Sequence, residues 1–233
     1  MSAGLIVALD GDDLPRMEGL ARELAGSVDA FKVGLTLFGG HGTEALMEIG
    51  QHGKVFCDLK FHDIPTQVEG AAGALARRGV WMMTVHASGG SAMVAAAVRG
   101  AALRAGDPVL VAAVTVLTSL DGAELAALGQ PAGPAAQVER LARHAVAAGA
   151  PALVCSPQEV AAVRAGVGPG VVLVCPGIRP AGAALGDQAR VSAPADAVAA
   201  GADYLVVGRP ITGAVDPVAA AERIRAEFSL VSS

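Results

Sequence analysis

Short runs of valine, isoleucine and leucine recur along the chain, separated by longer stretches rich in alanine, leucine, arginine and glutamate. The short runs are typical of buried strands, and the longer stretches are typical of amphipathic helices. The predicted strands are Leu5–Asp10, Ala30–Gly34, Lys54–Lys60, Met82–His86, Val109–Val116, Ala152–Cys155, Val171–Cys175 and Tyr204–Val207. The predicted helices include Pro15–Ala25, Gln67–Arg78, Ser91–Ala105, Gln137–Ala148 and Asp216–Phe228. Strands that alternate with helices predict a parallel sheet.

The number of strand–helix units indicates how that sheet is arranged. Eight strands in 233 residues correspond to about 29 residues per unit, close to the minimum for a parallel crossover. Eight such units favour a closed (β/α)8 TIM barrel of the α/β class, and a doubly wound open sheet is the structural alternative. Because no linker, low-complexity tract or charge block interrupts the chain, we expect residues 1–233 to form a single barrel domain.

Charged residues stand near the ends of the first three predicted strands. Residues two apart in a strand share a face, so Asp58 and Lys60 point to the same side of the third strand. Asp10 in the first strand and Lys32 in the second alternate with the apolar residues around them. In a barrel the apolar face contacts the helices, so we expect these charges to meet at the carboxyl-terminal mouth, where such barrels carry active sites.

Lys60 lies between two acidic residues, with Asp58 two positions before it and Asp63 three positions after it. Carboxylates on both sides favour the charged ammonium form. A charged lysine is a poor nucleophile but a usable proton donor. A structural network of ion pairs is the alternative interpretation of this cluster.

Two glycine–arginine segments follow the last two predicted strands. Gly177-Ile-Arg179 comes after the seventh strand, and Gly208-Arg209-Pro210 comes after the eighth. Barrels often bind phosphate with these two loops, where glycine lets backbone N–H groups approach the oxygens and arginine supplies paired donors. The segments therefore predict a phosphate site.

Net charge and hydropathy exclude several classes of partner. The chain has 17 Lys and Arg against 22 Asp and Glu, a net charge of −5, with no basic run that would bind nucleic acid or an anionic membrane. The mean hydropathy of +0.51 is high. However, the long uncharged runs Pro108–Leu120 and Ala165–Ile178 are shorter than the roughly 18 residues that a spanning helix needs. The N-terminus is interpreted as a first strand and not as a signal peptide, so a cytoplasmic protein is expected.

The cysteines and histidines do not predict a metal site. Cys57, Cys155 and Cys175 lack CxxC spacing and lie in valine-rich segments, which is typical of buried, reduced thiols in a cytoplasmic protein. The chain has no His–x–His or mixed His/Cys cluster, so metal ligation is not expected.

The segment Asp58-Leu-Lys-Phe-His-Asp-Ile-Pro-Thr-Gln67 resembles the signature of the orotidine 5′-phosphate decarboxylase family. Further segments match the bacterial pattern of that family in order, over essentially the whole chain. They are Phe31-Lys-Val-Gly34, His86-Ala-Ser-Gly-Gly90, Val116-Leu-Thr-Ser119, Cys155-Ser-Pro-Gln158, Pro176-Gly-Ile-Arg179, Gly186-Asp-Gln188 and Val207-Gly-Arg-Pro210. Cys175 departs from the pattern, which has threonine there. The ordered set is far more specific than any one motif.

The resemblance implies a carboxy-lyase that converts orotidine 5′-phosphate (OMP) into UMP and CO2 in pyrimidine biosynthesis, with no metal or organic cofactor. It implies that Asp58, Lys60, Asp63 and Lys32 surround the reacting carbon and that Lys60 protonates C6 of the pyrimidine. Whether Asp58 acts by destabilising the bound substrate or by orienting Lys60 stays open.

The resemblance also implies the binding residues and the assembly. The implied substrate-binding residues are Asp10, Lys32, Ile64, Thr66, Thr118, Arg179, Gln188, Gly208 and Arg209. Of these, Asp10 and Lys32 contact the ribose, Thr118 the base and the two arginines the phosphate. Gln188 lies on a glycine-containing segment that closes as a lid. Asp63, Ile64 and Thr66 reach into the site of a neighbouring subunit, so a homodimer is expected.

Two other functions are compatible with a barrel that binds phosphate. A sugar-phosphate decarboxylase or aldolase of the same superfamily uses Mg2+, held partly by an acidic residue after the second strand, where this chain has Lys32. A cation there repels Mg2+ and removes a ligand. A non-catalytic nucleotide-binding barrel needs Arg179 and Arg209 but has no use for the Asp58, Lys60 and Asp63 array. We therefore favour the cofactor-free decarboxylase.

Overall fold

Eight parallel strands form a closed barrel in the computed structural model, which describes residues 3–104, 106–130, 133–180 and 192–229. Each strand pairs with the next, and the eighth pairs with the first. The strands are β1 Gly4–Leu9, β2 Ala30–Val33, β3 Val55–Phe61, β4 Met82–His86, β5 Leu110–Val114, β6 Ala152–Val154, β7 Val172–Cys175 and β8 Tyr204–Val207. The prediction of a (β/α)8 barrel is confirmed, and the open doubly wound sheet is excluded.

Helices cover the outside of the barrel. They are α1 Leu14–Glu23, α2 Leu35–His41, α3 Thr43–Gly50, α4 Pro65–Ala76, α5 Ser91–Ala101, α6 Gly122–Ala127, α7 Gly133–Ala147, α8 Val160–Val167, α9 Pro194–Ala199, α10 Arg209–Thr212 and α11 Pro217–Ser229. The five predicted helices are present, with ends shifted by a few residues. Those not predicted have at most 8 residues, too few to show a helical repeat in a window of about 11 residues.

Alternate residues of each strand enter two separate apolar layers. One layer fills the barrel and comprises Ile6, Ala8, Ala30, Phe56, Met82, Ala112, Ala152, Val174 and Val206. The other layer lies between the barrel and the helices and takes the neighbouring positions, such as Leu5, Val7 and Leu9 of β1. Parallel strands buried on both faces read as continuous apolar runs, which accounts for the high hydropathy. No helix of the described ranges is long and apolar enough to cross a membrane.

Helices α4 and α5 pack closely against each other beside the third and fourth strands. A Cβ atom at Gly100 would lie 2.3 Å from the carbonyl oxygen of Glu69, so glycine is required at this contact. The Arg99 guanidinium donates a hydrogen bond to the carboxylate of Glu69 at 2.6 Å, which joins the same two helices. Because α4 begins directly after the β3 loop, this packing holds the segment that follows Lys60.

Candidate active site

The third strand is irregular at the carboxyl-terminal mouth of the barrel. The register of β3 against β4 shifts between Cys57 and Phe61, so that residues 58–60 lie opposite Thr84. Lys60 has a φ of 52°, in the left-handed region that residues other than glycine rarely adopt. Bulges of this kind re-aim side chains and are over-represented beside active sites. Strand alternation alone predicted that Asp58 and Lys60 share a face. The structure adds a local distortion of the backbone between them.

Four charged side chains from the first three strands form a chain of contacts at this mouth. Lys32 Nζ donates a hydrogen bond to Asp10 Oδ1 at 2.8 Å and lies 3.5 Å from Asp58 Oδ2. Lys60 Nζ donates to Asp58 Oδ1 at 2.9 Å. Acidic and basic groups thus alternate in the order Asp10, Lys32, Asp58, Lys60. The convergence predicted from the strand pattern is confirmed.

Asp58 is the most enclosed carboxylate of this chain of contacts, with 12% of its side chain exposed. Burial opposes its ionisation, but the charges of Lys32 and Lys60 and the hydrogen bonds from Lys60 and Thr84 outweigh burial. The pKa of Asp58 therefore lies below its usual value of 3.8, and the group is an anion at neutral pH. An anion held between two ammonium groups creates a strong, oriented local field.

Gly34 leaves room for the contact between the first two strands. A Cβ atom at this position would lie 2.9 Å from Asp10 Oδ1 and 3.0 Å from Lys32 Nζ. Any larger residue would push the Asp10 and Lys32 side chains apart. This close approach explains why the Phe31-Lys-Val-Gly34 segment has glycine at its last position.

A cavity of about 370 Å3 opens at the same mouth and joins the charged residues to the two arginine loops. Predicted site residues in its wall are Asp10, Lys32, Asp58, Lys60, Thr118, Arg179, Gly208 and Arg209. Apolar residues from the barrel interior, such as Ala8, Phe56 and Val174, form its floor. The cavity therefore offers cationic, anionic and apolar surfaces to a single ligand.

The arginine loops are held by the main chain. The Arg179 N–H donates to the carbonyl oxygen of Ser192 at 3.0 Å, and the Ser192 N–H donates to that of Gly177 at 3.3 Å. Gly177 has a φ of 79°, which favours glycine. Arg209 is the first residue of α10, which follows β8 directly. The structure thus places both arginines at the mouth, as the loops after β7 and β8 predict.

Three predicted site residues lie outside the cavity wall of their own chain. Asp63, Ile64 and Thr66 are exposed, and 61% of Ile64 is accessible. Asp63 Oδ1 accepts a hydrogen bond from the Ile64 N–H at 2.6 Å. Among the described residues Lys60 forms an ion pair with Asp58 but not with Asp63. Within one chain, Lys60 therefore has one of the two neighbouring carboxylates that the sequence predicted. Gln188 lies outside the described residues.

A sequence profile described as the orotidine 5′-phosphate decarboxylase / HUMPS family matches residues 3–224, which is nearly the whole chain. This chain belongs to that family. The ordered motifs of the sequence and the position of the charged residues at the barrel mouth agree with this membership.

Relatives in the orotidine 5′-phosphate decarboxylase / HUMPS family match over almost their full length. Orotidine 5′-phosphate decarboxylase of Anaeromyxobacter sp. (strain K) is 57% identical over 226 residues, covering 97% of this chain and 98% of the relative. That of Thermobifida fusca (strain YX) is 52% identical over 231 residues, covering 98% and 97%. The crystal structure of orotidine 5′-phosphate decarboxylase from Lactobacillus acidophilus matches with a TM-score of 0.86 and 39% identity, covering 97% of this chain and 99% of that chain.

Two residues of β4 that were not predicted as site residues lie beside the charged residues of this family member, outside the cavity wall. Thr84 is fully buried and hydrogen-bonds to the β3 bulge. His86 is half-buried, and its ring centroid lies 5.4 Å from that of His62. Burial, and then the neighbouring His62 and Lys60, lower the pKa of His86, which keeps it neutral at pH 7. Thr84 and His86 lie two apart in the sequence, as Asp58 and Lys60 do, but this spacing alone does not distinguish them from core residues.

Proposed function

We propose that this protein is an orotidine 5′-phosphate decarboxylase, a carboxy-lyase that forms UMP and CO2 from OMP without a metal or an organic cofactor. The observation that carries the proposal is the shared cavity. It joins the alternating Asp10, Lys32, Asp58 and Lys60 array to Arg179 and Arg209. Family membership and the names of the relatives support the same reaction.

The charges at the mouth support this reaction. When the bond between C6 of the pyrimidine and its carboxylate carbon breaks, the electron pair stays on C6 and CO2 leaves. The ammonium of Lys60 stabilises the developing negative charge because it is already oriented by Asp58 at 2.9 Å. It then transfers a proton to C6 and completes UMP. Asp58 orients this ammonium and lies near the departing carboxylate.

Binding energy from the remote phosphate assists the chemical step. Arg179 and Arg209 hold the phosphate, and Asp10 and Lys32 contact the ribose hydroxyls. Thr118 contacts the base, and Gln188, a further predicted contact, lies outside the described residues. Because these contacts are remote from C6, part of their binding energy is used in the transition state, so phosphate binding lowers the barrier as well as raising affinity.

A homodimer completes the site. Asp63, Ile64 and Thr66 follow the β3 bulge, are exposed, and lie outside their own cavity wall, which supports a role in the site of the partner subunit. Asp63 of the partner subunit then supplies the second carboxylate beside Lys60.

Equal amounts of Asp63→Asn and Arg209→Ala proteins should regain about one quarter of wild-type activity after subunit exchange, because half of the mixed dimer's sites are intact. Activity no greater than the sum of the two variants contradicts a shared site.

Lys32 favours this function over the Mg2+-dependent sugar-phosphate branch. Its ammonium lies 2.8 Å from Asp10 and 3.5 Å from Asp58. It therefore occupies the space between these carboxylates that a bound Mg2+ would need. Within the described ranges no group of three or more His, Cys, Asp and Glu side chains could hold a metal ion.

The thiols support a cytoplasmic location, where cysteines stay reduced. Cys57, Cys155 and Cys175 are buried and free. Burial and the neighbouring Asp58 raise the pKa of Cys57 to about 12. Contact with Cys155 and burial raise the pKa of Cys175. The raised pKa values keep Cys57 and Cys175 protonated and unreactive at neutral pH.

The decisive experiment is an OMP assay with EDTA-treated protein, followed as loss of the near-UV absorbance of the substrate. Turnover unaffected by EDTA and by added Mg2+ is expected. Turnover that requires Mg2+, or the absence of turnover, contradicts the proposal. A hexulose phosphate offered in parallel with Mg2+ tests the other branch directly.

A further inference from the structure

Thr84 contacts both charged residues of the β3 bulge through a single hydroxyl group. The residue lies in β4, is completely buried, and is not part of the cavity wall. Its Oγ1 accepts a hydrogen bond from the Lys60 N–H at 2.8 Å and donates one to Asp58 Oδ1 at 3.0 Å. A hydroxyl carries one proton, so donation to the carboxylate leaves its lone pairs for the amide. The two contacts are therefore mutually compatible and directional.

The first contact stabilises an unusual backbone. The bulge removes the Lys60 N–H from the regular pairing of β3 with β4, and a buried N–H without a partner would be costly. Thr84 supplies that partner from the opposite strand. The left-handed φ of Lys60 is itself unfavourable and persists only where surrounding contacts impose it.

The second contact orients the carboxylate that holds the Lys60 side chain. Asp58 Oδ1 accepts hydrogen bonds from both Thr84 and Lys60 Nζ, at 3.0 and 2.9 Å. Oδ2 is then directed to Lys32 at 3.5 Å. Rotation of the Asp58 carboxylate would break both arrangements at once.

We propose that Thr84 is a positioning residue for the decarboxylation, setting the backbone of Lys60 and the carboxylate of Asp58 relative to each other. The inference rests on the proposed function of Lys60 as proton donor. Thr84 acts through these two residues and touches no substrate. Since a misplacement of about 1 Å costs about a hundredfold in rate, its loss should appear in kcat.

Thr84→Val, which keeps the shape and removes the hydroxyl, is the central test. We expect kcat for OMP to fall about 10- to 100-fold, with KM and the Kd of UMP changed less than about threefold, because the phosphate and ribose contacts remain. Thr84→Ser restores the hydroxyl and should recover most of kcat. Thr84→Ala is measured in parallel, and the same loss of kcat is expected for it.

Thr115→Val is the matched control. Thr115 is also buried, and its hydroxyl donates to the carbonyl oxygen of Val154 at 3.0 Å, outside the charged array and the cavity wall. Both Val variants should lose a similar amount of thermal stability, but only Thr84→Val should lose kcat. Equal losses of kcat in the two variants would show a general effect of lost stability and overturn the proposal.

The pH profile provides an independent reading. The ionisable groups around Asp58 are Lys32 on β2, Cys57 and Lys60 on β3, and His86 on β4. Asp10, which directly follows β1, contacts Lys32. The hydrogen bond from Thr84 is one cause of the low pKa of Asp58, so its removal raises that pKa. The acid limb of kcat/KM should therefore move to higher pH in Thr84→Val and return in Thr84→Ser.

The outcomes separate this inference from the proposed function. No OMP turnover by the wild-type protein contradicts the proposed function itself. Wild-type turnover with an unchanged kcat in Thr84→Val, or with a hundredfold loss in Thr84→Ser, overturns the role of Thr84 alone.

Discussion

At each end of the barrel two aspartates form ion pairs with two cations, but these pairs are used differently. At the amino-terminal end, Asp29 accepts the Leu5 N–H at 2.7 Å and pairs with Arg225 at 2.7 Å. At the carboxyl-terminal end, Asp10 and Asp58 pair with Lys32 and Lys60 and line an open cavity. The first arrangement is joined to the main chain, and the second faces a ligand.

Asp203 repeats the amino-terminal arrangement. It accepts the Leu173 N–H at 2.7 Å and pairs with Arg164 at 2.6 Å. Arg164 also donates to the carbonyl oxygens of Gly168, Val171 and Gly201.

Aromatic rings occupy the amino-terminal end. Trp81 and Tyr204, the single tryptophan and tyrosine of the chain, pack edge to face at 5.2 Å between ring centroids. A Cβ atom at Gly4 would lie 2.4 Å from the Tyr204 ring, so glycine is required there.

Similar charges have different roles at the two ends of the barrel. Arginine with several fixed donors suits a carboxylate that is locked to backbone amides, and such a group stabilises strand pairing. Lysine has one compact ammonium on a flexible chain, which can be redirected to a substrate. We therefore expect substitutions of the charged residues at the carboxyl-terminal end to lower activity with little effect on stability, and the reverse for those at the amino-terminal end.

The largest effect is expected for Lys60→Ala. It removes the proton donor and one of the two ammonium groups beside Asp58, so kcat/KM for OMP should fall by more than about 10⁴-fold. Thermal unfolding should shift by only a few degrees. Activity close to that of the wild-type protein would contradict the functional role assigned to the charges at the carboxyl-terminal end.

Arg209→Ala should produce the next largest effect. Loss of a phosphate contact is expected to lower kcat/KM about a hundredfold, or ~2.7 kcal/mol of transition-state stabilisation. The folded state should be nearly unaffected. With a substrate that lacks the phosphate group, added phosphite should partly restore turnover by the wild-type protein. It should not restore turnover by the variant. Equal rescue in both proteins would contradict the assignment of this arginine.

Asp203→Ala tests the opposite end of the barrel. It leaves the Leu173 N–H and Arg164 without their carboxylate, and we expect the free energy of unfolding to fall by about 2 kcal/mol. Urea denaturation measures this loss, and kcat at 25 °C should stay within about twofold of wild type. A large decrease in kcat of the folded variant would show that the two ends are not functionally separate.

The smallest predicted effect concerns the backbone of Lys60. Lys60→Gly should be about 1 kcal/mol more stable than Lys60→Ala, because alanine keeps the cost of a left-handed φ and glycine does not. Both variants lack the ammonium, so they are matched for the lost ion pair. Equal urea midpoints in the two variants would show that the bulge stores no strain.

Much of the site could be predicted because a strand alternates strictly between two faces. That rule placed Asp10, Lys32 and Asp58 on the cavity side, where the structure has them. It also applied to Thr84 and His86, but buried threonine and histidine are common in ordinary cores, and nothing in their spacing distinguishes them. Asp63 illustrates the opposite limit: three positions from Lys60 in sequence, it forms no ion pair with it within the described part of one chain.

The amino-acid sequence by itself determined the barrel, the face on which each charge lies, and the loops that carry the arginines. These depend on local periodicity and on the order of elements, which are written along the chain. Only the tertiary structure decided the bulge in β3, the left-handed backbone of Lys60 and the hydroxyl that connects it to Asp58. Such features arise from the register between neighbouring strands. That register is set by closure of the whole barrel, not by residues close in sequence.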